Sequence, residues 1–380
     1  MIKNWLVMFI SVVLVIGVLA GCAAPTTAPT TASIATEAPT AEPTVVPTPE
    51  PVTVTDALGR TVEFTELPQR IVLAGKATTM LIDAFYMFPE ALDKVVSFDP
   101  RSQTATSFIK TAFPVTESLT LLEKNAAAEQ IAPLNPDLVV LKTYMKDSLG
   151  DSLEAIGIPV IYLDLETPEQ FYADLRTLGQ VLGNPERAEE LVGFYQATDE
   201  SVKEIVAGIT ETEKPSVLLL QYSKDGDNIA FEVPPSQWLQ TIIVENAGGI
   251  PVWTQTIFDG GWTIVTLEQI AVWNPDIIFI IDYSGGAVEV VNSLKIDTNW
   301  TSLDATKNSQ IYAFPADFFS WDQPDPRWIL GELWLATKIH PAQFSSVNIT
   351  DEFTNFYKSY YGLDDSTITE KILPLLTGDL

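Results

Sequence analysis

The chain has one cysteine, Cys22, and one histidine, His340, in 380 residues. No internal disulfide can form, and no His/Cys metal cluster can be assembled. Zincins, cysteine-rich iron–sulfur sites and histidine-rich zinc or manganese receptors are thereby excluded. A Ser–His or Cys–His catalytic pair would have to use His340. That residue follows the apolar run 334–339 and precedes Pro341, so it reads as a helix terminus. Basic residues are scarce: 21 Lys and Arg stand against 50 Asp and Glu, a net charge of −29. Nucleic acid and anionic lipid would be repelled, so neither is expected as a partner. G-x-S-x-G, Walker and G-x-G-x-x-G patterns are missing as well. No enzymatic activity and no intrinsic cofactor are expected. Beyond the N-terminus, no apolar run reaches the ~18 residues needed to span a bilayer.

What is present begins with a leader. Lys3 precedes an apolar run over residues 5–20, which ends Leu19-Ala20-Gly21-Cys22. Residues 1–21 read as a signal peptide, and the four-residue ending resembles a bacterial lipobox. That likeness implies lipidation of Cys22 as the mature N-terminus. Residues 23–51 hold seven prolines and no Lys or Arg. Such a tract cannot bury enough apolar surface to offset its ordering entropy. Residues 22–51 are therefore expected to be a disordered Pro/Thr/Ala tether, reaching roughly 90 Å if extended at ~3.1 Å per residue. The expected location is the extracytoplasmic face of a bacterial cell envelope, with the membrane reached through the N-terminal lipid only.

The rest reads as alternating short apolar strands and helices, the pattern of layered α/β folds with parallel sheets. One passage is written twice. Glu129-Gln130-Ile131-Ala132 leads to Asn135-Pro136-Asp137, an apolar strand and Tyr144; Glu268-Gln269-Ile270-Ala271 leads to Asn274-Pro275-Asp276, an apolar strand and Tyr283. An offset of one domain length points to two similar lobes with a cleft between them. Residues 52–167 are assigned to an N-terminal lobe and 210–380 to a C-terminal one. The strandless, helix-periodic stretch 168–209 is assigned to the connector.

The motif Glu-x-Ile-x-x-x-x-Pro-Asp, once per lobe, resembles the substrate-binding proteins of iron-complex and cobalamin ABC importers. So do the opening Val54-Thr55-Asp56-Ala57-Leu58-Gly59-Arg60-Thr61-Val62 and the closing Pro326-Arg327-Trp328. The likeness covers roughly residues 52–345. It implies two Rossmann-like lobes with parallel central sheets, joined by a long backbone helix, and a ligand held in the interlobe cleft. It also implies that Glu129 and Glu268 form salt bridges with arginines of an ABC permease dimer coupled to its ATPase. The receptor itself is expected to be a monomer.

Cleft residues are sought at the carboxyl ends of strands. Lys76, Arg101, Tyr144, Tyr222 and Tyr283 stand there, and Trp238 and Trp262 lie in loops or at helix starts. Trp321 lies among the turn-forming residues Asp322-Gln323-Pro324-Asp325. Core packing is the competing role for each tryptophan, and local pairing with Asp325 or Asp322 is the competing role for Arg327. Aromatic walls suit a metal chelate: ferric siderophore, haem or corrinoid. Lys76, Arg101 and Arg327 suit an oxyanion such as molybdate or tungstate, the runner-up. A surface sensor or adhesion module on the same fold is the third reading.

Overall fold

The computed structural model describes residues 51–99, 107–226, 228–256 and 260–380. The signal peptide, Cys22, almost all of the tether and Arg101 lie outside the described residues.

The body opens on a hairpin, β1 (Val52–Thr55) and β2 (Thr61–Phe64), paired antiparallel. Asp56 fixes its turn by accepting the amides of Leu58 and Arg60, each at 3.0 Å. The Arg60 guanidinium returns to Asp56 and to the carbonyl of Val160. The hairpin is thereby clamped to the edge of the first sheet.

That sheet consists of β3 (Ile71–Leu73), β4 (Val95–Phe98), β5 (Leu138–Lys142) and β6 (Val160–Leu163) in the order β4-β3-β5-β6, all parallel. The side chains of a strand alternate between its two faces. Ile71, Leu73, Leu138, Val140, Ile161 and Leu163 belong to the main core, whereas Val72, Val139, Leu141, Val160 and Tyr162 build a second one on the other face. Both faces are covered, which is why these strands are apolar but for Ser97 and Lys142.

The second sheet contains β7 (Ser216–Asp225), β8 (Asn228–Val233), β9 (Ile250–Pro251), β10 (Thr263–Val265), β11 (Ile277–Ile281) and β12 (Ile311–Ala313). Its order is β10-β8-β7-β11-β12, with β9 also on β7. β9, β7, β11 and β12 are parallel neighbours; β8 is antiparallel to both β7 and β10. The expected parallel centre is therefore extended by an antiparallel ribbon. Its cause is local: Gly226 takes φ 60°, and the polar end of β7 folds back on β8, with Asp225 opposite Asn228.

The duplicated passage does the same structural work twice. Each copy is a short helix (Ala128–Ile131, Leu267–Trp273) followed by the strand that pairs with the first parallel strand of its sheet, β5 on β3 and β11 on β7. Asn135 (φ 49°) and Asn274 (φ 38°) take the left-handed conformation that stops the helical run. Asp137 then accepts the amides of Gln69 and Arg70 at 2.7 and 2.8 Å, and Asp276 accepts the amide and hydroxyl of Ser216 at 2.8 and 2.6 Å. Each aspartate ties down the chain at the start of the neighbouring strand and fixes its register.

The stretch 168–209 contains two helices, Pro168–Leu182 and Pro185–Ala207. Gly183 (φ 79°) ends the first, and Asn184 caps the second by accepting the Arg187 amide. Arg176 and Glu189 pair across them, so they fold back on each other. The second helix, 23 residues and about 34 Å long, is the bridging element. Arg187 donates to the carbonyl of Met87, while Tyr195 stacks on Trp328 at 5.5 Å. The C-terminal segment also departs from a simple division of the chain: the helix Ile349–Tyr361 returns to the first lobe, where Tyr361 donates to the carbonyl of Asp83 and packs on Phe108 at 4.7 Å.

Candidate ligand cleft

Three strands of the first sheet deliver residues to one cavity. After β3, Gly75 (φ 91°) and Ala77 (φ 53°) turn the chain into the helix Thr78–Phe85, whose Thr78 hydroxyl donates to the Gly75 carbonyl at 2.6 Å. This presents Ala77 and Met80. After β5 comes Tyr144, and after β6 comes Glu166. The second lobe contributes Trp238, Gln240, Trp262 and Tyr283, and the run before the helix Trp328–Ile339 adds Gln323 and Pro324. Together they enclose a cleft of about 430 Å³, within the range of small-molecule sites.

The second-lobe wall is aromatic. Trp238 and Trp262 meet edge to face at 5.9 Å, and Trp262 meets Tyr283 in the same manner at 6.2 Å. Edge-to-face pairs match positive rim to negative face, so the rings brace one another. The floor is braced by Asp322, fully buried, which accepts from the Tyr283 hydroxyl at 2.7 Å, from Gln240 at 3.3 Å and from the Ser320 hydroxyl. Tyr144 and Tyr283 close the two copies of the duplicated passage, and both line the cleft. Tyr144 is 54% exposed, while Tyr283 is half-buried and anchored.

Glu166 sits in a built turn. Its side chain is 46% exposed, yet its partner Lys142, at 2.6 Å, is fully buried and also donates to the Asp164 carbonyl. Between them Leu165 takes φ 56°, a left-handed conformation that costs a non-glycine residue energy. The Asp174 carboxylate holds this turn by accepting the amides of Asp164 and Leu165 at 2.8 and 2.7 Å. Burial pushes the Asp174 carboxyl up to about 7, against the pull of those two amides. Between the unfolded value near 3.9 and about 7, the folded chain holds a proton that the unfolded chain has lost. Stability from this residue therefore falls as pH rises through that window, by up to roughly 4 kcal/mol. Asp174→Asn, which cannot titrate, is expected to gain stability relative to the parent on going from about pH 4 to about pH 8 in urea denaturation. A difference that does not change with pH would refute it.

Four of the expected ligand residues, Trp238, Trp262, Tyr144 and Tyr283, are brought together. The others are not. Lys76 is exposed beside the cleft but does not line it, though its neighbour Ala77 does. Tyr222 is half-buried against Phe231 at 5.7 Å, which in turn packs on Trp300. Trp321 is 0% exposed: it stacks on Phe353 at 5.9 Å, and its indole nitrogen donates to Asp317. The turn-forming residues around it are buried as well, so the expectation of a surface wall is corrected. Arg327 is also 0% exposed. It pairs with Asp83 and Asp325 at 2.7 Å and with Asp317 at 2.8 Å, and donates to the Tyr357 hydroxyl. Its role is structural, so its assignment as a ligand residue is corrected too. Sequence reasoning missed Met80, Glu166, Gln240, Gln323 and Pro324. Glu166 was within reach, because it follows β6 as Tyr144 follows β5.

Glu129 and Glu268 are exposed, each in the first turn of its short helix. β10 and β4 run parallel to the strands that follow these helices. The helices therefore begin on the edge of the sheet where strands end, the same edge as the cleft. The backbone amide and the Thr266 hydroxyl hold the Glu268 carboxyl below its ordinary value.

Two α/β lobes with a ligand-sized cleft at the carboxyl ends of their strands define a solute-binding protein. Residues 89–318 match the periplasmic binding protein family model, and the chain belongs to that family. It is similar to the molybdate-binding protein MolA of Haemophilus influenzae, 21% identical over 334 residues, 82% of this chain and 88% of that protein. An ABC transporter substrate-binding lipoprotein of Bacillus subtilis, YvrC, is 26% identical over 301 residues, 77% of this chain and 87% of the relative. The crystal structure of a periplasmic solute-binding protein from Veillonella parvula superposes with a TM-score of 0.68 at 26% identity, covering 85% of this chain and 97% of that one. The chain is thus a binding component of a transport system, and its place is in the cell envelope, outside the cytoplasm.

Proposed function

We propose that this protein is a receptor that captures a metal chelate in the interlobe cleft and hands it to an ABC permease dimer driven by its ATPase. In this reading it is a monomer, held to the membrane by a lipid on Cys22 and a flexible tether, and it alters nothing chemically in its cargo. The observation that carries the chelate is the braced wall of Trp238, Trp262 and Tyr283 facing Met80 and Tyr144. Such a surface takes up flat or bulky organic material and gives a bare metal ion little to hold.

The first test is the absorbance spectrum and native mass of protein purified from its host. A visible band with a matching mass supports haem, corrinoid or ferric siderophore. A second reading, an oxyanion, draws on the likeness to the molybdate-binding relative; a colourless oxyanion mass would favour it. Against it stands the cleft lining, whose described residues include no Lys or Arg. Trp262→Ala is expected to weaken binding of the co-purified ligand by roughly 1–3 kcal/mol, the cost of removing an aromatic anchor. Titration calorimetry showing unchanged affinity would remove Trp262 from the site.

A further inference from the structure

The cleft carries a signature of ligand charge beyond its aromatic wall. Glu166 is the one charged side chain among its described lining residues. The fold spends two unusual features on it: the left-handed Leu165 just before it and the fully buried Lys142 behind it. A loop with no task at this point could relax the first and would not need the second. Lys142 is held by the Asp164 carbonyl on one side and by one oxygen of Glu166 on the other. The carboxylate remains half-exposed toward the cavity, with capacity to accept further hydrogen bonds. In the floor, the side-chain amide nitrogen of Gln323 is buried without a hydrogen-bond partner among the described residues. The site thus offers a half-exposed strong acceptor, Glu166, and an unused buried donor, Gln323. An anion, which only accepts hydrogen bonds, finds no hydrogen to accept at the first. Uncharged carboxamides bring an N–H for the first and a C=O for the second.

We propose that Glu166 is a specificity-determining residue that makes the cleft select uncharged or cationic chelates bearing N–H or O–H donors over anionic ones. This rests on the chelate-receptor reading and narrows it. Four probes test it by quenching of tryptophan fluorescence at fixed ionic strength: cyanocobalamin, uncharged with a carboxamide rim, against haemin, ferric citrate and molybdate. The wild type is expected to bind the uncharged probe most tightly. Glu166→Gln should weaken that binding by about tenfold or more, as the loss of a charged hydrogen bond does. Glu166→Asp should retain part of it, and Glu166→Gln should bind the anionic probes better than the wild type does. Thermal melting controls for folding: Glu166→Gln keeps an oxygen for the buried Lys142 but removes its counter-charge, so its midpoint is expected to fall, and affinities are compared at a temperature where both proteins remain folded. A wild type that prefers an anionic probe overturns the charge selection and leaves the chelate or oxyanion receptor standing. So does a Glu166→Gln variant whose affinity for the uncharged probe stays within about twofold of the wild type. A wild type that binds none of the four overturns the inference, while the chelate reading is decided separately by the spectrum and mass of the co-purified ligand.

Discussion

Arg327→Ala is expected to cost about 3–5 kcal/mol or more, a large part of the 5–15 kcal/mol that holds a typical domain folded. The reason lies in what the arginine leaves behind. Asp83, Asp317 and Asp325 are all buried, and Arg327 pairs with each of them within 2.8 Å. Its guanidinium also lies over the Phe108 ring at 4.7 Å. Three acids around one base already leave an excess of negative charge in the interior. Burial accordingly raises the carboxyls of Asp83 and Asp325 above their ordinary values, although Arg327 pulls them down. Without the arginine they rise further. Their folded-state pKa then exceeds the unfolded one by more, so the variant should be less handicapped in acid than above neutral pH. Arg327→Met combined with Asp83→Asn and Asp325→Asn should recover part of the loss, because it removes charge while keeping volume. Urea denaturation followed by circular dichroism measures all of this. A melting midpoint for Arg327→Ala close to that of the parent would show that the cluster contributes little. The cluster also joins the lobes: Asp83 lies on the helix that carries Met80 into the cleft, and Arg327 lies just after Gln323 and Pro324. A weakened cluster should therefore loosen the cleft as well.

The second large effect concerns transport. Glu129→Ala together with Glu268→Ala is expected to leave ligand affinity intact and to reduce uptake to background. Neither carboxylate lines the cleft, and both are exposed in the first helical turn of their lobe. Truncating one member of a buried interfacial charge pair costs about 2–5 kcal/mol. Two such losses compound, so the docked complex should weaken by a factor on the order of a thousand or more. Each single variant should fall between the parent and the double variant, since in the proposed docking each lobe would offer one carboxylate to one permease subunit. Uptake by cells of the chelate that the purified protein binds, compared with its calorimetric affinity, separates the two roles. Full uptake by the double variant would dismiss docking through these residues.

Much of the architecture was legible in the chain because it depends on local chemistry. The doubled Asn-Pro-Asp passage marks helix stop and strand start in each half, and the left-handed Asn135 and Asn274 show why asparagine is used there. Tyr144 and Tyr283, the final matching positions, reach the cleft because strand ends do so in this kind of sheet. The antiparallel extension of the second sheet was signalled only by Gly226, one glycine in a polar stretch.

The amino-acid sequence by itself determined the two-lobed plan, the helix stop and strand start in each copy of the duplicated passage, and the solvent-facing place of Glu129 and Glu268 at helix starts. These follow from short-range rules: periodicity, capping and the restricted backbone of proline. Only the tertiary structure decided that Trp321 and Arg327 are interior and that Glu166 and Gln323 face the cleft. Turn-forming residues are usually exposed, but here Arg327 meets Asp83 from 244 positions away and the helix Ile349–Tyr361 folds back over Trp321. Burial depends on which distant segments arrive, and no local pattern encodes their arrival.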